Sequence, residues 1–185
     1  VATALDLTKA AIYYYVPTKE ELLFRCYKRA CEIVAETVAK ADSAGGTGLD
    51  RLLRWVRLQL GGDGPAITVQ SELPLLEPEH QKQIHRLNRA NLKATRALIE
   101  LGLADGSIAP CDPGIANWLV TGALAWTPIW RRQDSRPAMK EVAEVFAGLF
   151  QQGLSPQRRV QALPETPEHL VLEGPASGFS REAQA

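Results

Sequence analysis

The segment Thr8–Leu23, TKAAIYYYVPTKEELL, decides how the N-terminal part of the chain is interpreted. Its first threonine is a good N-cap for a short helix, and Pro17 ends that helix two turns later. Thr18 and Glu21 then form a capping-box pattern, which predicts a long helix running to about Asp42. A helix as short as the first one is marginal in isolation, so it must pack against neighbours. The segment therefore predicts a short helix held at a corner between two others.

A short helix presented at a corner is the element by which a helix-turn-helix reads the DNA major groove. Its N-terminal N–H groups can bind a phosphate, and tyrosine hydroxyls reach phosphate oxygens at little entropic cost. The alternative is that the three tyrosines only anchor the short helix in a core. The predicted DNA-contacting residues are Thr8, Lys9, Ala10, Ala11, Tyr13, Tyr14, Tyr15 and, at the start of the next helix, Lys19.

The stretch ALDLTKAAIYYYVPTKEELL resembles the DNA-binding domain of TetR-family transcriptional regulators. The family pattern places Lys-Gly-x-x-Tyr-x-Tyr-Phe before Ser-Lys-Glu-x-Leu; here Asp6, Ala10 and Val16 replace two usual glycines and a phenylalanine. The resemblance implies a homodimeric, ligand-responsive repressor that binds double-stranded DNA at a palindromic operator. It also implies that the family's first helix is missing, so we expect the chain to begin inside an element.

Composition restricts the other functional classes. Lys plus Arg and Asp plus Glu number 21 each, so DNA binding would need a local basic patch rather than an overall positive field. The three cysteines form no CxxC or Cys/His cluster, which favours a reducing, cytoplasmic setting without a disulfide framework. His80 and His85 lie on different helix faces, so no metal site is predicted. No apolar run approaches the roughly 20 residues of a membrane span, and no membrane association is expected.

Helical periodicity dominates the remaining sequence and predicts an all-α fold. We expect residues 1–40 to hold the helix-turn-helix domain and the connecting helix, 41–154 a helical ligand-binding and dimerisation domain, and 155–185 an extended or disordered tail. In the second domain we predict helices at 49–60, 79–103, 112–130 (beginning at Asp112 or Pro113) and 137–152, and a short segment at 66–76 that Pro74 interrupts.

Two further strings, residues 71–89 with LLEPEH and residues 122–132 with WTPIW, resemble the TetR subgroup that responds to acyl-CoA thioesters in lipid or steroid breakdown. The implied effector is a small apolar molecule such as an acyl-CoA thioester, held among tryptophans with an arginine available for phosphate. The candidate arginines are Arg86, Arg89, Arg96, Arg131 and Arg132, and the alternative is that each only forms surface salt bridges. Asn117, on an apolar helix, is expected to find its partner in a ligand or a second subunit. The predicted ligand-binding residues are Trp55, His80, Arg89, Trp118, Trp126 and Trp130.

The last two helices carry more apolar surface than one small core needs, which favours a four-helix contact between two copies. The alternative is that this surface is only the domain's own core. The predicted dimer residues are Ile115, Leu119, Gly122, Val142, Val145, Phe146 and Leu149.

No nucleophile beside a base, phosphate loop or metal-ligand spacing occurs, so neither catalytic residues nor a cofactor are predicted. Two alternatives stay open at this point. One is a helical interaction scaffold without DNA binding, and the other is an acyl-CoA-binding enzyme.

Overall fold

The computed structural model describes residues 18–61, 72–130 and 138–156, with the backbone alone for 128–130. All regular secondary structure in these ranges is helical, which confirms the predicted all-α fold. None of the described helices is long and apolar enough to cross a membrane. The elements are α1 (Lys19–Ser43), α2 (Gly48–Gly61), a 3₁₀ turn (Leu73–Leu75), α3 (Pro78–Ala104), α4 (Pro113–Trp130) and α5 (Met139–Leu154).

The helices begin at the capping signals in the sequence. Thr18 Oγ1 accepts the Glu21 N–H at 3.0 Å, which satisfies one of the free donors at the start of α1. Asp112 Oδ1 does the same for the Ile115 N–H at 2.8 Å before α4. Pro78 opens α3 at a position that needs no N–H donor. The predicted starts of α1, α3 and α4 are confirmed, whereas α5 begins and ends two residues later than predicted.

The second helix, α2, lies at the centre of the fold and packs against the four others. Trp55, Leu52, Val56 and Leu60 are its most deeply buried side chains. They belong to a large apolar cluster with Val34, Val38, Ala41, Leu98, Ile99, Val120, Leu124, Val142 and Ala147, among others. Burial of these side chains supplies most of the driving force for folding, and α2 is the element that all the others cover.

A smaller cluster joins the first half of α1 to the start of α3. It contains Phe24, Tyr27, Cys31, Leu76 and Ile84. Phe24 is buried in it, whereas its neighbours Leu22 and Leu23 are only half-buried. The difference arises because α3 covers α1 from one side, and that side is set by the partner helix rather than by the hydrophobic periodicity of α1 alone.

Close backbone contact fixes the start of α2 against the end of α3. A Cβ atom placed on Gly48 would lie 2.0 Å from the Gly102 backbone nitrogen, and one placed on Gly102 would lie 2.5 Å from Ile108 Cδ1. The Gly48 N–H donates to Asp105 Oδ2 at 2.7 Å, and the Leu49 N–H donates to Ser107 Oγ at 3.1 Å. The turn after α3 therefore caps α2, and this contact positions Trp55 relative to the α3 face opposite it.

Candidate functional site

A cavity of about 430 Å³ lies between α1, α2, α3 and α4. Two of these helices, α3 and α4, each present one face to it, since their lining positions recur at helical spacing. On α3 they are 88, 91, 92 and 95, and on α4 they are 118, 121, 122 and 125. The lining residues are Val34, Trp55, Asn88, Asn91, Leu92, Thr95, Trp118, Thr121, Gly122 and Ala125.

A buried hydrogen-bond network joins the two helices that form the cavity's longest walls. Thr95 Oγ1 donates to Asn117 Oδ1 at 2.7 Å, and Asn117 Nδ2 donates to the Leu92 carbonyl at 3.0 Å. Both side chains are almost completely buried. The prediction that Asn117 needs a ligand or a second subunit is therefore wrong, because α3 supplies both of its partners. The network holds α3 and α4 at a fixed separation beside the cavity.

The cavity is uncharged, since none of its described lining residues carries a formal charge. Its polar side chains already have partners in the protein. Asn91 Nδ2 donates to the Cys31 carbonyl at 2.8 Å, and Asn88 Oδ1 accepts from Cys31 Sγ at 3.2 Å. Trp55 differs from them, because its buried indole nitrogen has no hydrogen-bond partner. The cavity therefore suits a mainly apolar ligand portion.

A second cavity, of about 400 Å³, shares Leu92 and Trp118 with the first. It differs in charge, because Lys93, Arg96 and Glu100 also line it. Arg96 Nε donates to Glu100 Oε1 at 2.7 Å, and both side chains are half-exposed. An uncharged chamber thus adjoins a cationic one across a shared wall.

Only some of the predicted ligand-binding residues line the first cavity. Trp55 and Trp118 line the first cavity together, as the sequence suggested. His80, Arg89 and Trp126 are not among its described lining residues, and the Trp130 side chain lies outside the described part. The α3 residues that line the cavity, Asn88, Asn91, Leu92 and Thr95, were not predicted from the sequence. Their i, i+3, i+4, i+7 spacing places them on one helix face and could have indicated them.

His80 instead contacts the start of α1. Its Nδ1 lies 2.8 Å from Glu20 Oε1, which also accepts the Glu77 N–H at 3.0 Å. The imidazole stacks on Phe24 with ring centroids 3.8 Å apart. The hydrogen bond to Glu20 raises the pKa of His80, and the same bond lowers the pKa of Glu20. His80 therefore joins α3 to α1 rather than lining the pocket.

One group of side chains in the described part has the spacing of a metal site. The ligand atoms of Glu20, Glu21 and His80 lie within 4.8 Å of one another. However, Glu20 and His80 are bonded to each other, and Glu21 Oε1 accepts from Arg25 Nε at 2.6 Å. The three side chains therefore lie close together because they form an ion-pair cluster at the starts of α1 and α3.

Only one predicted DNA-contacting residue, Lys19, lies within the described residues. It is the exposed first residue of α1, directly after the Thr18 N-cap. The other seven, at positions 8–11 and 13–15, lie outside the described residues.

The predicted dimer residues divide between the surface and the core. Ile115, Leu119, Val145 and Leu149 are exposed, with Leu119 67 % and Leu149 63 % accessible. Val142 is 6 % accessible and belongs to the chain's own core, so its assignment to the dimer surface is corrected. Phe146 is half-buried against that core, and Gly122 lines the first cavity. Trp118 and Trp126 extend the exposed apolar surface of α4.

A third cavity, of about 330 Å³, separates α4 from α5 along this surface. Ile115 and Leu119 line it from α4, and Leu149 and Phe150 line it from α5. We call the exposed side chains of Ile115, Trp118, Leu119, Trp126, Val145 and Leu149 the α4–α5 apolar face.

The family profile described as "Tetracyclin repressor-like, C-terminal domain" matches residues 49–154. The chain belongs to the TetR family. TetR-family proteins are transcription regulators and not enzymes. Family membership therefore excludes the alternative of an acyl-CoA-binding enzyme. The matched range covers α2 to α5 and thus every lining residue of the two chambers beside α3 except Val34 of α1.

Solved TetR-family structures share the fold over most of the chain. A regulator of the TetR/AcrR family from Thermobifida fusca is 26 % identical, with 85 % of each chain covered and a TM-score of 0.61. AibR, solved in complex with isovaleryl coenzyme A and operator DNA, is 22 % identical over 80 % of this chain and 83 % of its own, with a TM-score of 0.64. KstR2, a ketosteroid transcriptional regulator of Mycobacterium tuberculosis, is 15 % identical over 83 % and 82 %, with a TM-score of 0.68. No curated protein sequence matches this TetR-family chain.

Proposed function

We propose that this TetR-family regulator is a homodimeric repressor that is released from a palindromic operator when an apolar acyl-CoA thioester enters the α1–α4 cavity. In this proposal residues 1–40 contact DNA, 41–154 bind the ligand and the second subunit, and 155–185 form a tail. Thr8, Lys9, Ala10, Ala11, Tyr13, Tyr14, Tyr15 and Lys19 are the proposed DNA contacts.

The observation that carries the proposal is the uncharged cavity between the four helices. Trp55, Leu92 and Trp118 give it apolar walls, and its volume of about 430 Å³ falls within the usual range of small-molecule sites. An acyl chain can bury its methylene groups there at a gain of about 0.8 kcal/mol each.

The neighbouring cationic chamber supports a ligand with an apolar end and an anionic end. Lys93, Arg96 and Glu100 line that chamber, two positive charges against one negative, and Trp118 lines both chambers. Phosphate groups bind well to lysine and arginine, whereas they would be costly to bury in the uncharged chamber. An acyl-CoA thioester has this division of charge. AibR, a protein of this fold, was solved in complex with isovaleryl coenzyme A, which is a ligand of this class.

The α4–α5 apolar face supports the homodimer. Trp118 and Leu119 are each about two-thirds exposed, which is unusual for neighbouring large apolar residues on a monomeric surface. A second copy that packs the same face against this one would bury them on both sides of a two-fold axis. The same axis would space two DNA-reading helices about one helical turn of DNA apart.

Helix α1 is the proposed connection between ligand and DNA. It begins at Lys19, next to the predicted DNA-reading segment, and reaches the cavity at Val34. A ligand changes the operator affinity only if it binds one orientation of α1 better than another. A coupling of about 1–3 kcal/mol, or roughly 5- to 150-fold in affinity, is typical of such systems.

Selection of binding sites from a pool of random duplex DNA tests this function. We expect an inverted repeat to be enriched, and we expect an acyl-CoA thioester, but not CoA alone, to release the protein from it. Failure to enrich any site would favour the helical-scaffold alternative. An enriched site that no thioester affects would contradict the proposed effector.

A further inference from the structure

Trp55 is the one described residue with a buried, unpartnered side-chain nitrogen or oxygen. Its side chain is completely buried at the centre of α2, and it lines the uncharged cavity. Buried polar groups in folded proteins nearly always have a partner, and one without a partner destabilises the protein. Trp55 lines the cavity and the protein offers its indole nitrogen no acceptor, so a ligand held in the cavity is the partner that remains.

The other polar residues of the cavity do not share this property. Thr95 donates to Asn117 at 2.7 Å, and Thr121 donates to the Asn117 carbonyl at 2.7 Å. Asn91 donates to the Cys31 carbonyl, and Asn88 accepts from the Cys31 thiol. The protein itself thus engages each of these side chains, and Trp55 Nε1 stands apart as a donor held ready for an acceptor.

The missing partner must accept a hydrogen bond, because an indole N–H can only donate. It must also be uncharged, since no described residue of the cavity could neutralise a buried carboxylate. We infer that Trp55 is a specificity-determining residue whose Nε1–H donates a hydrogen bond to a neutral carbonyl oxygen of the ligand. This inference rests on the proposed function in taking the α1–α4 cavity as the effector site.

The inference narrows the ligand class at this site. A thioester, ketone, ester or amide offers a neutral acceptor within an apolar chain, whereas the free acid brings an unpaired charge. Binding should therefore distinguish an acyl-CoA thioester from an alkyl-CoA thioether of the same length, although the two differ only at the carbonyl oxygen.

The decisive experiment compares octanoyl-CoA with S-octyl-CoA on the wild-type protein and on Trp55→Phe. We expect wild type to bind the thioester about tenfold more tightly, the effect of one hydrogen bond. In Trp55→Phe this preference should vanish, while the thioether binds nearly as before. Tyr27→Phe removes an aromatic side-chain donor outside the cavity lining and should keep the preference.

A spectroscopic measurement keeps the test valid if Trp55→Phe does not fold. In protein labelled with ¹⁵N at tryptophan, the Trp55 indole resonance can be assigned by elimination with phenylalanine variants of Trp118, Trp126 and Trp130. Octanoyl-CoA should shift the Trp55 N–H proton downfield, and S-octyl-CoA should not.

A second probe pair separates this inference from the proposed effector. If neither CoA derivative binds, the acyl-CoA proposal fails, and hexan-2-one and 1-chlorohexane then test the carbonyl alone. A downfield shift of the Trp55 N–H with the ketone but not the chloride would uphold the inference. Equal loss of both ligands in Trp55→Phe, or an indole resonance that no carbonyl probe moves, would overturn it.

Discussion

His80 Nδ1 lies 2.8 Å from Glu20 Oε1, a contact that joins the first turn of α3 to the first turn of α1. Glu20 directly follows Lys19, the predicted DNA contact, whereas α3 forms a wall of the ligand cavity. Phe24 stacks on the imidazole from the same helix as Glu20. The pair therefore ties the wall of the proposed ligand site to the helix that begins beside the proposed DNA-binding segment.

This contact should make stability depend on pH. The Glu20 hydrogen bond raises the pKa of His80 above its usual 6.5, so the stabilisation is complete below that value and lost as pH rises through the raised pKa. The stabilisation is also lost in acid, when pH falls through the lowered pKa of Glu20 and the carboxylate becomes protonated. His80→Gln should therefore cost more stability at about pH 5.5 than at about pH 8.5, as measured by urea unfolding. His85→Gln, at an exposed position on the same helix, is the control. An equal cost at both pH values would contradict this assignment.

The close approach of α2 and α3 should not tolerate a side chain. Gly48→Ala would place a Cβ 2.0 Å from the Gly102 nitrogen, and we expect a loss of at least about 1–3 kcal/mol in unfolding free energy. Gly148→Ala is the matched control, because no atom lies within 4 Å of its new Cβ. That change should be stabilising by about 0.5–1 kcal/mol, since alanine is the better helix former. Urea unfolding of the two variants measures these free energies. A Gly48→Ala protein as stable as wild type would show that α2 and α3 can separate at this contact at no cost.

The α4–α5 apolar face should hold the homodimer together. Leu119→Glu places a charge on this face, so we expect the sedimentation coefficient to fall to that of a monomer. Because Leu119 is 67 % exposed, the fold of one subunit should persist, as shown by an unchanged helical circular dichroism signal. Gln151→Glu introduces the same charge on another side of α5 and should leave the dimer intact. A Leu119→Glu dimer as strong as wild type would place the interface elsewhere.

Lys19 should contact the DNA backbone rather than a base. Lys19→Ala is expected to weaken binding to operator and random DNA by a similar factor and to reduce the salt slope by about 1. Fluorescence anisotropy at several salt concentrations measures both quantities. Lys40→Ala, at the other end of the same helix, should change neither. An unchanged slope in Lys19→Ala would refute the proposed docking of α1.

Local signals in the sequence were sufficient to predict where most helices begin. Thr18, Pro78 and Asp112 satisfy or avoid the free N–H groups of a first turn, and this chemistry needs no tertiary information. The fold class follows from the same signals and from hydrophobic periodicity.

Contacts between distant residues could not be predicted in this way. His80 was assigned to a ligand, although its partner Glu20 lies on another helix, and Asn117 finds Thr95 on the preceding one. Periodicity identified the apolar side of α5 but not its division into buried Val142 and exposed Leu149, because that boundary depends on where α2 packs. Trp118 illustrates the same limit, since it lines the cavity and yet is 68 % exposed.

A tryptophan-fluorescence titration with acyl-CoA thioesters, their free acids and CoA alone tests whether the cavity binds the uncharged acyl portion of an acyl-CoA thioester. Trp55 and Trp118 line the cavity and should report its occupancy. We expect saturable quenching at micromolar or lower concentration by at least one thioester, with no response to CoA alone or to the matching free acid. Absence of a response to every thioester, or tighter binding of the free acid, would contradict this expectation.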